Sequence, residues 1–188
     1  MLRIVVLLTL LLVISSVFAC SQMSSGGATP TEAYKLLYAA VKSKDTEAIK
    51  KQLTKKSIEF GAMAAQRNGT PIEKVYENGF TATTFSESLP TMRDERVNGD
   101  MGALEVWNSK ESKWEDLAFI KEDGAWKLAV GDMFAGTYKS PGPGRDVIEK
   151  QAANAAANSE VQNAPIMNSN APMPGINTAS NRSTHSNK

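Results

Sequence analysis

The side chain best placed for covalent chemistry is Cys20, the only cysteine of the chain. It directly follows the small residue Ala19 and lies a few positions after an apolar run from Ile4 to Val13 that only Thr9 interrupts. A free thiol is a liability in an oxidising compartment, and no second cysteine is present for a disulfide. If the chain is exported, we therefore expect Cys20 to be modified.

The residues before Cys20 predict export. Arg3 places one positive charge ahead of the apolar run, and Ala19 is the small residue expected at a cleavage site, so residues 1–19 are predicted to be a signal peptide. Counted to Val13, the run is about half of the ~20 residues that a membrane-spanning helix needs. Extended through Ala19 it approaches that length, so a retained helical anchor remains the alternative.

The stretch Val17-Phe18-Ala19-Cys20 resembles the lipobox of bacterial lipoproteins. The resemblance implies that the Cys20 thiol receives a diacylglyceryl group, that a peptidase cuts before it, and that the new amine is acylated. Palmitate is a typical acyl group of such anchors. It also implies a place in the cell envelope, on the outer side of the cytoplasmic membrane or in the outer membrane. Cleavage after Ala19 with a free thiol is the alternative. Residues 20–28, rich in Ser and Gly, are then a lipidated flexible tether.

The rest of the sequence offers no recognisable catalytic or metal-binding set. The only histidine, His185, lies close to the C terminus, which removes the commonest general base from the folded region. There is no Cys/His cluster with the spacing of a zinc site. We therefore expect no catalytic residue, no metal and no cofactor.

Four residues are candidates for ligand binding. Glu105 and Trp107 alternate onto one face of a predicted strand, and Tyr34 and Tyr38 lie one turn apart on a predicted helix. If the strand face lines a cavity, these side chains bind a polar ligand. If it faces solvent, Glu105 and Trp107 are ordinary surface residues, and the tyrosines border the core. The same strands carry Asp116, which with Glu105 is the candidate base in an enzymatic alternative.

The overall charge narrows the class of partner. Arg3 is the only charged residue of the leader, so its removal leaves equal numbers of basic and acidic residues. A nucleic-acid-binding protein normally carries a basic face, so we expect no nucleic-acid partner. The same balance argues against a polybasic contact with a membrane.

Capping signals predict a series of helices in the first half of the domain. Thr29, Asp45 and either Thr54 or Ser57 are N-cap candidates, and Asn68-Gly69 marks an end. A further short helix is predicted after Thr70-Pro71, up to Asn78-Gly79.

Strand signals begin at Phe80. Extended segments are predicted at 80–89, 92–97, 101–107, 114–122 and 125–130, with hairpin turns at Asn98-Gly99 and Asp123-Gly124. Leu117 to Ile120 is apolar on both faces, which predicts a strand that is central or covered on its second side. Trp114 and Trp126 are predicted to be core or cross-strand residues.

Helices followed by an antiparallel meander predict an α+β domain, residues 29–138, with N-terminal helices packed on one face of a curved antiparallel sheet. The element order, the Lys44-Asp45 pair after the first helix and the final Asp123-Gly124-Ala125-Trp126-Lys127 resemble the nuclear-transport-factor-two-like superfamily. That resemblance implies a cone-shaped, cystatin-like fold. It carries no catalytic or binding residue over to this chain.

Composition changes after Gly136. Residues 140–144 are predicted to be a linker, residues 145–157 permit a transient helix, and residues 139–188 as a whole are predicted to be a low-complexity, disordered tail.

These observations favour a non-catalytic lipoprotein whose domain binds a small ligand or an envelope protein. Two alternatives stay open. One is an enzyme of the isomerase or dehydratase type that uses a carboxylate in the cone. The other is a structural envelope protein that forms a homodimer through the sheet face of Leu117 to Ile120.

Overall fold

The structure, a computed structural model, describes residues 25–163 and has an α+β architecture. The predictions for residues 1–19, Cys20 and residues 164–188 lie outside the described part of the chain. The helices are α1 (Pro30–Ser43), α2 (Thr46–Lys51), α3 (Lys55–Asn68), α4 (Ile72–Tyr76), α5 (Val130–Phe134) and α6 (Arg145–Asn163), and the strands are β1 (Met92–Asn98), β2 (Met101–Asn108), β3 (Lys113–Glu122) and β4 (Ala125–Leu128). The four strands form one antiparallel sheet in the order β1-β2-β3-β4.

The first three helices begin where the capping signals predict. Thr29, Asp45 and Thr54 each accept, through a side-chain oxygen, the backbone N–H three positions further on, at 3.2, 3.0 and 3.1 Å respectively. These bonds satisfy donors that a helix start otherwise leaves unpaired. Helix α3 ends at Gly69, which has the left-handed conformation expected of a C-terminal cap.

One of the two predicted hairpin turns is confirmed in detail. Asp123 and Gly124 both have positive φ, and Glu122 pairs with Ala125 on either side of them. In the other hairpin Asn98 pairs with Met101, so the turn is one residue further along the chain than predicted. Strand β4 also ends at Leu128 rather than Val130, which instead begins α5.

The strand predicted at residues 80–89 is wrong. Residues 82–85 form a single 3-10 turn instead. The hydroxyl of Thr84 donates to the backbone carbonyls of Asn78 and Thr81 at 2.8 and 2.9 Å, and the Thr81 hydroxyl accepts the N–H of Thr83. These local bonds compete with a strand ladder and outweigh the β propensity of threonine.

The hydrophobic core lies between α1 and one face of the sheet. Tyr34 and Leu37 from α1 pack with Leu104, Val106 and Phe119 from the sheet, and all are fully buried. We name this side of the sheet the core face and the opposite side the outer face. Because side chains alternate along a strand, the residues between these core positions lie on the outer face.

The chain divides into two units after Lys150. The first contains the sheet and the helices through α5, together with the start of α6. Of the second, the structure describes residues 151–163, which are all helical. No helix in the described range has the length and apolarity required to cross a bilayer.

We predict that Gly61→Ala destabilises the protein by about 1–3 kcal/mol. Alanine is normally the better helix former, but a Cβ at position 61 would come within 2.6 Å of the Tyr76 ring. Urea denaturation followed by circular dichroism measures the change. Gln66→Ala, at an exposed position of the same helix, is the matched control and is expected to leave the unfolding midpoint nearly unchanged. A Gly61→Ala protein as stable as the parent would contradict the packing of Gly61 against Tyr76.

Candidate functional site

The four predicted binding residues lie on opposite sides of the sheet. Glu105 and Trp107 alternate with the core residues Leu104 and Val106 and are therefore on the outer face. Tyr34 and Tyr38 are on α1, which packs on the core face. The structure keeps each pair together and separates the two pairs.

The Glu105 carboxylate is hydrogen-bonded to other groups of the same chain. Its side chain is 1% exposed, and both carboxylate oxygens are bound. Arg93 Nε donates to Oε2 at 2.7 Å, and the backbone N–H of Asp146 donates to Oε1 at 2.8 Å. A Cβ at Gly144 would lie 2.5 Å from Oε1, so only glycine permits this approach of the backbone. Glu105 thus caps the start of α6 from the sheet.

Arg93 links the sheet to α6. Its guanidinium also donates to Glu149 Oε2 at 3.1 Å and lies 4.1 Å from the ring centre of Trp114. Trp114 in turn packs edge-to-face on Trp107, its cross-strand partner, with ring centres 5.3 Å apart. Burial acts against the charge of Arg93, but the hydrogen bonds to Glu105 and Glu149 outweigh it and raise the pKa of Arg93. Trp107 is therefore part of a packed cluster.

A bulge in β1 places a second arginine on the same face. Arg93 pairs with Glu105 and Arg96 with Ala103, so one extra residue lies between the two pairs, where Asp94 has a φ of 54°. Without the bulge, residues three apart would point to opposite faces. Arg96 instead bonds Asp116 and the carbonyl of Gly142, and it pairs with Asp94 at 3.0 Å. Burial raises the pKa of Asp116, and Arg96 opposes that rise.

Residues 137–146, which we name the covering segment, lie over these charges. Besides the bonds to Gly142 and Asp146, the Tyr138 hydroxyl donates to the carbonyl of Gly102 at 2.9 Å, and Asp94 Oδ2 accepts the N–H of Arg145 at 2.8 Å. Part of this segment is the stretch predicted to be a linker. Polar residues of β1 and β2 bind its backbone groups at Gly142, Arg145 and Asp146.

On the core face, a buried polar network extends from Tyr34. The Tyr34 hydroxyl donates to Thr83 Oγ1 at 2.9 Å, and Thr83 and Thr81 share a hydrogen bond of 2.8 Å. Thr81 then donates to one oxygen of Glu115 at 3.2 Å, while Asn108 Nδ2 donates to the other at 2.6 Å. The network joins α1, the 3-10 turn and strands β2 and β3.

A cleft of about 440 Å³ opens beside this network. It is lined by Ala82, Thr83, Phe85, Ser86, Glu87, Ser88, Asn108, Ser109 and Lys110. Phe85 also lines a second cleft of about 410 Å³, between α1, α2 and α4. The Phe85 side chain is 58% exposed, and it is the residue that borders both openings.

Tyr38 holds the wall of the first cleft in place. Its hydroxyl contacts the carbonyls of Ser86 and Glu87 at 3.1 and 3.0 Å. Together with the threonine bonds around residues 81–84, this contact fixes the segment that carries Phe85. The two tyrosines predicted to bind ligand thus support the cleft from behind, with Tyr34 completely buried.

Sequence reasoning missed Phe85, Asn108 and Glu115 as a group. Residues 80–89 were predicted to form a strand, and Glu115 lies within the predicted strand 114–122 without being named as a candidate. A sequence signal for the turn was the run Thr81, Thr83 and Thr84 directly after Asn78-Gly79. Threonine hydroxyls that follow a helix end favour a hydrogen-bonded turn.

The described residues contain no group of three or more His, Cys, Asp or Glu side chains arranged to hold a metal ion. Comparison with protein-family models, with curated proteins and with solved structures gives no match for this chain.

We predict that Glu105→Gln destabilises the protein by about 2–4 kcal/mol. The substitution leaves Arg93 partly buried without its carboxylate and weakens the cap on α6. Chemical denaturation measures the loss, and amide hydrogen exchange at Asp146 should accelerate. The control is Glu111→Gln, which removes an exposed pair with Lys113 and is expected to change stability little. Unchanged exchange at Asp146 would show that Glu105 does not cap the helix.

We predict that stability falls at alkaline pH and that Tyr34 and Tyr138 contribute to this fall. Burial raises the pKa of Tyr34 and of Tyr138 to about 12. An unfolded tyrosine titrates near pH ~10, so between about pH 10 and 12 the unfolded state loses protons that the folded state keeps, and stability decreases as pH rises. Urea midpoints measured across this range should fall less steeply for Tyr34→Phe than for the parent chain. Identical slopes would contradict the assignment.

Proposed function

We propose that this chain is a lipid-anchored protein of the cell envelope whose domain binds a small polar ligand and catalyses no reaction. The lipobox resemblance of residues 17–20 supports the anchor. The order of helices and strands supports membership of the cone-shaped, nuclear-transport-factor-two-like class. The cleft bordered by Phe85 supports the binding role.

The observation that carries the binding role is the exposure of Phe85. A phenylalanine that is 58% exposed forgoes much of the stabilisation that burial would provide. Thr84 and Tyr38 hold its segment by hydrogen bonds on both sides, so the exposed ring is rigidly presented. Rigid aromatic side chains beside a polar cleft are the usual anchors of bound ligands.

The lining of the cleft indicates the chemistry of the ligand. Ser86, Ser88 and Ser109 provide hydroxyl groups, and Glu87 and Lys110 provide opposite charges at the margin. The Phe85 ring provides an apolar surface for stacking. A compact molecule with one apolar face and several hydroxyl or amide groups, as in an amino sugar, matches this combination.

The state of the carboxylates supports binding over catalysis. A general base must reach the proton it removes. Both oxygens of Glu105 and both oxygens of Glu115 are engaged by the chain's own donors, and Asp116 is paired with Arg96. The isomerase or dehydratase alternative would require one of these networks to open when substrate binds.

The test uses the Cys20→Ser chain lacking residues 1–19 and the disaccharide of N-acetylglucosamine as probe. We expect saturation-transfer NMR to detect the probe bound to this protein. Phe85→Ala should weaken binding about 5- to 30-fold, because stacking on an aromatic anchor contributes roughly 1–2 kcal/mol.

The matched control is Phe134→Ala, which removes a ring that is 72% exposed on α5, a helix that does not line either cleft. It should leave binding unchanged. Equal loss with both variants, or binding that survives Phe85→Ala, would contradict the site; a parent chain that binds no probe would contradict the amino-sugar class of ligand.

A further inference from the structure

The place where the tether joins the domain is fixed. Gly27 pairs with Trp126 on strand β4 through two backbone hydrogen bonds of 3.0 and 2.8 Å. The C-terminal end of the predicted tether, residues 20–28, is thus held at the edge of the sheet. Ser25 is five positions after Cys20, and five residues of fully extended chain span at most about 18 Å.

A group of lysines surrounds this point. Ser25 borders a shallow cleft of about 340 Å³ whose lining includes four lysines, namely Lys50, Lys51, Lys55 and Lys127. They come from α2, α3 and β4. We name this surface the tether-side face. The acidic residues of the same surface are Glu47, Glu122 and Asp123.

The lysines of the tether-side face differ in how firmly they are paired. Lys127 is mostly buried against Glu122, at 3.2 Å. Lys55 pairs with Asp123 at 3.3 Å, but both side chains are more than 60% exposed, and such exposed pairs contribute little. Lys51 is exposed and makes no ion pair with any described residue. Lys51 and Lys55 are therefore available to an external anion.

We propose that the tether-side face lies against anionic lipid headgroups of the bilayer that holds the Cys20 anchor, an inference that rests on the anchoring proposed above. The short tether keeps Ser25, which borders this face, within about 18 Å of the lipidated residue, so contact does not depend on free diffusion. Anionic headgroups attract nearby lysines, and the attraction decays within a Debye length. The contact would orient the clefts around Phe85 reproducibly relative to the membrane.

The neutral overall charge gives no sign of such a face. The chain has nearly equal numbers of acidic and basic residues, and the expectation of no polybasic contact followed from that balance. Folding gathers lysines from three separate elements around Ser25. The surface is only modestly basic, and proximity to the anchor makes a weak attraction sufficient.

The experiment uses the purified full chain, first weighed intact to detect acyl groups on Cys20 and then reconstituted on vesicles. One set of vesicles is phosphatidylcholine alone, and the other contains phosphatidylglycerol. Lysines are acetylated with an N-hydroxysuccinimide ester and read by peptide mass spectrometry. With phosphatidylglycerol, Lys51 and Lys55 should react about fivefold more slowly relative to exposed Lys110, and high salt should abolish the difference.

A double substitution, Lys51→Glu with Lys55→Glu, provides the second arm. It should make the rate at neighbouring Lys50, which pairs with Glu47 at 2.7 Å, the same on both sets of vesicles. The control Lys35→Glu, at an exposed position of α1, should preserve the protection of Lys51 and Lys55. If Cys20 carries acyl mass, rates at Lys51 and Lys55, relative to Lys110, that are the same on both sets of vesicles would overturn this inference alone. Absence of acyl mass on Cys20 would overturn both this inference and the anchoring proposal.

Discussion

The outer half of the structure depends on the buried carboxylate of Glu105. A charge removed from water requires compensation, and two groups supply it: the guanidinium of Arg93 and the backbone N–H of Asp146 at the start of α6. The glycine at position 144 and the path of the covering segment bring the N–H of Asp146 to this carboxylate, and the bulge of β1 places Arg96 against Asp116 beside it. A substitution at Arg93 or Gly144 alters the interactions of this one carboxylate.

The two faces of the sheet use polar residues differently. On the outer face, ions pair with ions and tie α6 and the covering segment to the strands. On the core face, hydroxyls and an amide form a continuous network from Tyr34 to Glu115, and the network ends beside an open cleft. The ion pairs hold the covering segment over the outer face, whereas the hydrogen-bond network on the core face leaves a cleft open beside it. This difference is why the proposed ligand site lies on the core side, although the sequence directed attention to Glu105.

Local signals in the sequence predicted the elements well. Caps such as Asp45 and turns such as Asp123-Gly124 depend on a few neighbouring residues, so helix starts and turns can be predicted from the sequence alone. The segment 80–89 was predicted incorrectly because threonine has both strand propensity and the ability to bond its own backbone, and only the surrounding structure decides between them. The candidate site was harder still. Alternation placed Glu105 and Trp107 on one face, but nothing in the sequence showed that residues some forty positions later would cover that face.

The cap on α6 has a consequence for the order in which the chain assembles. The carboxylates that bind the N–H groups of Arg145 and Asp146 come from residues 51 and 41 positions earlier. Closing such long loops is slow compared with forming a helical turn. Strands β1 and β2 must therefore be in place before the N–H groups of Arg145 and Asp146 acquire these partners. A chain interrupted before residue 145 would leave Glu105 paired with Arg93 but without the N–H of Asp146, so the stability of the outer face depends on a segment that is synthesised after the whole sheet.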